Sequence, residues 1–499
     1  MINEGGFGLG RPVTGRRARL GRWFPSMFAA MSVCALALSS AGSTFAQQKS
    51  PVAAPNLSVS GIADSVVVSN SGALLGSSVA VFAAGSKMHA KPEVYNSGPG
   101  PHNTDLEGAA GVAINPSTSH NFVASSADNL VLSFSPTANG SVPPEQLIVG
   151  LDNPDDVAFD ATPIPNLDTA LNNSGDITST TPNAYVSNTL PPLCVSSSPC
   201  LTTSPDLCSI GSIEGFEPVG EFIAVPNTVI KGCSTLNFGP VGLYVDEATV
   251  HECTCTSESP STDCATAADT CNIGNGNTVT PMQTRRIFAT QRFGGFITVY
   301  EPEFAAALGI TGADQPPVGG FISTALASGD ATEPNFLATN GFLSVTSSGS
   351  VFYTVPTQLY VTDILGGHNR RGRVKTFNIA SIANCLVTAS DGTCEVANGD
   401  FLVAASATDI EGKHTRLSLP MGIAAQPDPD FDGTFKLFVT NVNSNSVVQF
   451  SNLDSGDARP ESILIGGRTK LNQPAGIAAF PVVVPGAPPP SVAQATKPK

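Results

Sequence analysis

Short apolar runs ending in a small polar residue recur along the chain. They lie at Val66–Asn70, Phe122–Ser126, Ala184–Asn188, Ile287–Gln291, Leu359–Asp363 and Leu437–Asn441. β-Branched and aromatic residues in runs this short predict strands. After a gap, each run is followed by a second that closes on an aromatic residue: Phe82, Phe134, Phe216, Tyr300, Phe377 and Phe450. Turn residues such as Ala127-Asp128-Asn129 and Asn443-Ser444-Asn445 fill these gaps, so most pairs read as hairpins. A third pattern is a proline, two residues, then a short apolar run. It starts at Pro154, Pro240, Pro334, Pro420 and Pro474, with Ala109 in the proline's place in the remaining copy. Proline is tolerated at the first residue of a strand, where its missing N–H costs no ladder bond. Between the second and third patterns lies one more apolar run, clearest at Leu147-Ile148-Val149-Gly150 and Ile463-Leu464-Ile465-Gly466.

The unit is therefore four strands, and six units follow one another in fixed order. A pair of β-sandwiches does not explain six copies of one ordered pattern, and the windows lack the 3.6-residue period of a helical solenoid. Short antiparallel strands repeated radially solve the exposed-edge problem as a β-propeller does. The expected fold is all-β: a six-bladed β-propeller of four-stranded antiparallel blades over 65–481. The first unit begins at its second strand, Val66, and the last proline-led run ends at Phe480. The C-terminal strand is therefore expected to complete the first blade.

The runs Leu359–Asp363 (LYVTD) and Leu437–Asn441 (LFVTN) resemble the YVTN-type propeller repeat. The whole unit is more similar to an NHL-type repeat. Gln473-Pro474-Ala475-Gly476-Ile477-Ala478 and Leu419-Pro420-Met421-Gly422-Ile423-Ala424 match its proline-led strand, and Asn369 to Val374 resembles its Asn-x-Arg-Val turn with residues inserted. The third and fourth blades depart from the pattern through insertions rich in cysteine. The resemblance implies a fold that hosts receptors, scaffolds, lactone hydrolases and lyases, so activity must be argued from a site.

Charge narrows the partners. The chain has 499 residues and a net charge of −16; after Ala46 the remaining residues hold 19 Lys and Arg against 39 Asp and Glu. Such a surface repels phosphate backbones, which argues against nucleic acid as a partner. The N-terminus contrasts with it. Arg11, Arg16, Arg17, Arg19 and Arg22 precede an apolar stretch from Met27 to Ala41, and Thr44-Phe45-Ala46 offers small residues at a cleavage site. This reads as a secretory signal over 1–46. Residues 47–64 follow as an extension, and 482–499, with Pro488-Pro489-Pro490, as a proline-rich disordered tail. No later segment reaches the roughly 18 consecutive apolar residues of a membrane span, so a soluble periplasmic or secreted protein is expected.

Ten cysteines remain after Ala46. Cys194, Cys200, Cys208, Cys233, Cys253, Cys255, Cys264 and Cys271 cluster in insertions at about 190–280, while Cys385 and Cys394 form a separate pair. In an exported chain an even set reads as disulfides; a zinc site would want C-x2-C pairs or more histidine than the single His251 of the window.

Three places carry candidate chemistry. Asp428, Asp430 and Asp432 alternate ahead of Gly433, a spacing that suits a structural Ca2+; the alternative is a polar hairpin turn. Asn70, Asn188, Gln291, Asp363 and Asn441 end the second strands and fall at the end of the barrel where propellers bind ligands, with Asp155 and Asp156 at the start of another strand. In gluconolactonase-like propellers acidic and amide side chains at this mouth hold a divalent metal; here they equally suit local capping of strand ends. Finally, His368 lies beside Arg370 and Arg371 in a mouth-side loop. No histidine recurs at a fixed repeat position, and the chain has no G-x-S-x-G, H-E-x-x-H or phosphate-loop motif. The expected function is a non-enzymatic exported binding or scaffold propeller for a protein or small-molecule ligand. The alternative is a metal-dependent lactone or ester hydrolase acting at the mouth.

Overall fold

In the computed structural model, residues 65–160, 182–189, 211–250, 271–272, 278–279, 283–302, 312–323, 333–367, 371–379, 402–405, 407–428, 434–479 and 483–484 are described, apart from a few short gaps within these ranges. They build six small antiparallel sheets arranged as a ring. In order from the axis, blade 2 is Ala109–Ile114, Asn121–Ser125, Leu130–Phe134 and Gln146–Ile148; blade 3 is Pro154–Phe159, Ala184–Thr189, Gly211–Phe216 and Thr228–Ile230. Blade 4 is Pro240–Val250, Gln283–Gln291, Phe296–Tyr300 and Gly319–Ser323; blade 5 is Pro334–Thr339, Gln358–Asp363, Arg373–Asn378 and Ala407–Ile410. Blade 6 is Pro420–Pro427, Phe435–Asn441, Ser446–Ser451 and Ser462–Ile465. Blade 1 joins Ser65–Asn70, Ser78–Ala83 and Val94–Ser97 to Pro474–Ala479 as its innermost strand, with Val67 opposite Ala478. The chain ends thus close the ring in the manner expected.

The apolar side chains collect into six clusters at the junctions of neighbouring blades: Val67, Val81, Val112 and Val123 between blades 1 and 2, for example, and Val68, Phe82, Phe438 and Ile477 between blades 6 and 1, with Val241 of blade 4 also joining the cluster of blades 5 and 6. Each second strand feeds two clusters, one from each face. Val66 and Val68 turn to blade 6 and Val67 to blade 2, all at most 3% exposed. Burial on both faces is why these strands are apolar without alternation.

Every blade's outer edge is covered by the loop that follows the third strand of the next blade. Gly140 pairs with Asn96, Phe222–Ile223 with Leu147–Ile148, and Leu402–Ala405 with Gly320–Ser323. Lys231 donates to the Ala313 carbonyl, Ile410 pairs with Gly456, and across the closure His89 donates to the Ile465 carbonyl at 2.9 Å. Exposed strand edges invite association, and this arrangement covers all six. Blade 5 also carries an extra hairpin, Phe342–Thr346 with Val351–Thr354, on which Val483–Val484 adds a parallel strand. Two residues of the proline-rich C-terminal segment are therefore paired.

Hydroxyl groups stitch neighbouring blades near the axis. The penultimate residue of five second-strand runs is Ser69, Ser187, Thr290, Thr362 or Thr440. Each accepts an N–H from its own blade's innermost strand and donates to a carbonyl in the next blade's: Ala110, Val241, Asn335, Met421 and Ala475 in turn. Blade 2 has Ala124 at this position. The innermost strands approach closely; a β-carbon on Gly476 would lie 2.5 Å from the Ala110 carbonyl oxygen.

Candidate functional site

The mouth is the end of the barrel at which the second strands stop and the innermost strands start. In register, Pro474 lies opposite Asn70, Pro154 opposite Asn188, Pro240 opposite Gln291, Pro334 opposite Asp363 and Pro420 opposite Asn441. The five side chains expected at the mouth are almost fully buried. Each accepts a main-chain N–H from just before the facing proline: Asn70 from Asn472 (3.1 Å), Asn188 from Asp152 (3.3 Å), Gln291 from Phe238 (2.8 Å), Asp363 from Glu333 (2.9 Å) and Asn441 from Ser418 (2.9 Å). The amides donate onward to the third strand of their own blade, to Ser78, Ser212, Thr298 and Ser446. Asp363 instead binds the Arg373 guanidinium at 2.9 Å. In blade 2, Ser125 takes the same place and accepts from Glu107 at 2.9 Å. The chain needs such a group because the turn into each innermost strand leaves a buried N–H that must be satisfied.

Less repetitive is the arc formed by blades 3 to 5. Asp156 stands where blades 1, 2, 4 and 6 have glycine, and its carboxylate accepts the Leu243 N–H of blade 4 at 2.9 Å. Burial drives its pKa well above the usual carboxylate range, against the help of the Leu243 and Val157 N–H groups. Asp155 beside it is half-buried; burial raises its pKa to about 6, opposed by a hydrogen bond with the Thr189 side chain and by the Arg292 charge. Arg292 itself pairs with Glu333 at 2.5 Å. The innermost strand of blade 5 adds Asn335, fully buried, whose Nδ2 meets the Met421 sulfur at 2.8 Å. Its Oδ1 has no hydrogen-bond partner among the described residues. At the positions matching Asp155 and Asn335, the other blades present Ala475, Ala110, Val241 and Met421, so polarity at the mouth lies on one side.

The same arc is crowned by exposed apolar side chains. Phe293 is 52% exposed and Leu365 is 42% exposed. Each lies two residues beyond the clamp residue of its blade, Gln291 or Asp363, and each is followed by two glycines. The matching positions of blades 1, 2 and 6 are Gly72, Ala127 and Asn443. An apolar-Gly-Gly turn in two neighbouring repeats is the sequence signal for this pair. A second missed signal is Thr-x-Leu ahead of the innermost strand. Thr104, Thr415 and Thr469 each accept the N–H two residues on, at Leu106, Leu417 and Leu471, which shapes the turns rimming the mouth.

Several expected site residues lie outside the described residues: His368, Asp430, Asp432, and all ten cysteines but Cys271, which starts a short strand paired to Thr278–Val279. Asp428, the first of the three alternating aspartates, lies 3.3 Å from the Lys436 ammonium on the face opposite the mouth. Among the described residues no group of three His, Cys, Asp or Glu side chains is placed to hold a metal ion, and no helix is long and apolar enough to cross a membrane.

No family model matches the sequence, and no curated protein does. Among solved structures the chain is similar to one from a nidogen/laminin complex, with 10% identity, 84% of this chain and 99% of that chain covered, and a TM-score of 0.39. A putative 6-phosphogluconolactonase from Bacteroides fragilis gives 10% identity, 85% and 99% coverage and a TM-score of 0.36. Kuenenia stuttgartiensis hydrazine synthase gives 11%, 74% and 70%, and 0.34.

Proposed function

We propose that the protein is an exported binding or scaffold propeller, built on an NHL- or YVTN-like repeat, that recognises its ligand with the mouth face of blades 3 to 5. The observation that carries this reading is the exposure of Phe293 and Leu365 at matching positions of adjacent blades, directly beside the Arg292–Glu333 pair. Apolar anchors ringed by charge are the usual composition of a recognition surface. Export is supported by the arginine-rich, then apolar, N-terminus and by the even set of ten cysteines beyond it. Thiol titration of the denatured, unreduced protein should find almost no free thiol; several reactive thiols would reopen a metal role for the cysteines. The proposal itself is tested by selecting peptides from a displayed library on the mature protein. Phe293→Ser with Leu365→Ser should lose the selected peptides while melting at the wild-type temperature. Unchanged binding by that variant would overturn the reading.

The second reading is a metal-dependent lactone or ester hydrolase. Asp155, with its pKa near 6, and the Asn335 carbonyl oxygen favour it as oxygen donors on the mouth side. Yet no set of three acidic, histidine or cysteine ligands converges among the described residues, so Asp155 and Asn335 alone do not fit a divalent-metal site. A lactone screen run with and without added divalent ions decides it: turnover abolished by Asp155→Asn would displace the binding reading. Away from the mouth, Asp428, Asp430 and Asp432 are proposed as a structural Ca2+ site on the opposite face.

A further inference from the structure

We propose that the mouth face of blades 5, 6 and 1 binds an anionic polysaccharide segment through Arg371, Lys413, Arg416, Arg468 and Lys470. This deepens the reading of the mouth as a recognition surface and names a ligand chemistry for its other half. Cations are scarce in this protein: 19 remain after Ala46, against 39 acids. Five of them are nevertheless exposed on three loops of one face. The loops are chained together. Leu419 donates to the Arg371 carbonyl at 3.0 Å, Asn443 to the Ser418 carbonyl at 3.4 Å, and Gln473 to Asn445 Oδ1 at 2.7 Å.

Arg416 and Lys470 occupy matching positions in two successive turns. Each follows a threonine, Thr415 or Thr469, whose hydroxyl donates back to Gly412 (2.8 Å) or Gly466 (2.7 Å), and each has a left-handed backbone, φ 59° and 61°. The turn therefore holds both cations at fixed places on neighbouring blades. In blade 2 the same position, after Thr104, is Asp105 with φ 50°, so the charge reverses where the crescent ends. Acids nearby are already engaged: Glu411 lies 3.8 Å from Arg373, and Asp457 holds His414 at 2.6 Å. None of the five cations lies within 4.0 Å of a carboxylate among the described residues, although Lys413, after the His414 contacts, adds to the field that lowers the Asp457 pKa.

The lining selects among anions. The apolar residues of the two turns that carry Arg416 and Lys470, Leu417 and Leu471, are buried, so these turns offer no apolar anchor of the kind on which a protein interface centres; exposed Leu365 lies at the blade 5 end, in the turn of Arg371. Among the described residues the crescent also presents no exposed Phe, Tyr or Trp ring of the kind on which single-stranded nucleic acids stack. A polar chain carrying spaced carboxylates or sulfates fits what remains.

The experiment is titration of the mature protein with oligogalacturonate and with dextran sulfate of similar length, followed by calorimetry or fluorescence. Saturable binding to at least one is expected, weakening about five-fold or more between 50 and 200 mM salt, since screening acts on exposed charges. Preference between the two distinguishes carboxylate from sulfate as the recognised group. The triple variant Arg416→Gln, Arg468→Gln, Lys470→Gln should bind at least about ten-fold more weakly with unchanged melting. Phe293→Ser with Leu365→Ser shares no residue with that variant, so the mouth-face reading of blades 3 to 5 and this proposal can fail separately. Wild-type affinity in the triple variant, equal binding of uncharged dextran, or equal binding of polyglutamate or an oligothymidylate would each overturn the proposal.

Discussion

Thr440→Val tests the account of how the ring is held. The Thr440 side chain is fully buried; its Oγ1 donates to the Ala475 carbonyl across the closure at 2.7 Å and accepts the Gly422 N–H at 2.7 Å. Valine keeps the shape and removes the oxygen, leaving a buried donor and a buried acceptor without their partner. Each orphaned group costs about 1–3 kcal/mol, and small main-chain shifts recover part of that, so a loss of about 2–4 kcal/mol is expected. Unfolding entropy is roughly 2.1 cal/mol/K per residue, so a propeller of about 400 residues should melt roughly 2–5 °C lower. Differential scanning calorimetry of wild type, Thr440→Val and Thr440→Ser gives the answer. Serine retains the hydroxyl and should recover most of the loss. A valine variant melting within about 1 °C of wild type, or a serine variant as unstable as valine, would refute the stitch as a stabilising device.

Three further outcomes follow from particular groups. The native state raises the Asp155 pKa from 3.8 to about 6, so it binds a proton more tightly than the unfolded chain; that stabilisation is complete below about pH 4 and is lost as pH rises through 6. Asp155→Asn should accordingly melt above wild type at pH 7 and alike at pH 4, and equal differences at both values would remove the burial argument. Deleting the chain from Leu471 onward removes the innermost strand of blade 1 and should leave insoluble protein, whereas deletion from Val482 removes, among the described residues, the pairing of Val483–Val484 with Val345–Thr346 and should lower melting slightly; comparable solubility and melting of the two truncations would contradict closure. If Asp428, Asp430 and Asp432 bind Ca2+, calcium should raise the wild-type melting temperature but not that of Asp430→Ala, and equal responses would end that proposal.

The blades were legible because the second strands are buried on both faces. Val66-Val67-Val68 and Leu437-Phe438-Val439 read as unbroken apolar runs for that reason, and no loop insertion disguises them. Closure was legible from order alone, since the repeat begins at its second strand. The mouth was legible only as positions. Asn70, Asn188, Gln291, Asp363 and Asn441 stand at one end of the barrel as expected, but their partners are main-chain N–H groups supplied by turns that carry no distinctive side chain: Asn472, Asp152, Phe238, Glu333 and Ser418. Whether an amide faces the axis or its own blade depends on backbone direction two residues before a proline, which composition does not encode. Asp156 is the converse case. An acid in a place where most blades have glycine signals a local exception, but its reach to Leu243 needs the neighbouring blade in position.

A six-fold repeat permits a comparison inside one molecule. The inward positions keep one chemistry from blade to blade: an amide, carboxylate or hydroxyl clamps each turn, and a hydroxyl stitches five of the six junctions. That uniformity follows from the ring, which must satisfy the same buried N–H and carbonyl groups at every step. Exposed positions a residue or two away have no such obligation, and there the blades diverge. Phe293 and Leu365 correspond to Gly72, Ala127 and Asn443, while Arg416 and Lys470 correspond to Asp105. If divergence were mere drift on a solvated surface, apolar and basic residues should be scattered around the rim. Among the described residues the exposed apolar pair, Phe293 and Leu365, lies over blades 4 and 5, while Arg371, Arg416, Arg468 and Lys470 lie over blades 5, 6 and 1, the two sets meeting at the blade 5 turn that holds both Leu365 and Arg371. Uneven chemistry on one face of a pseudo-symmetric ring is what a surface shaped by its ligand would show, and the proposed recognition accordingly rests on the turn tips rather than on the buried ring of amides beneath them.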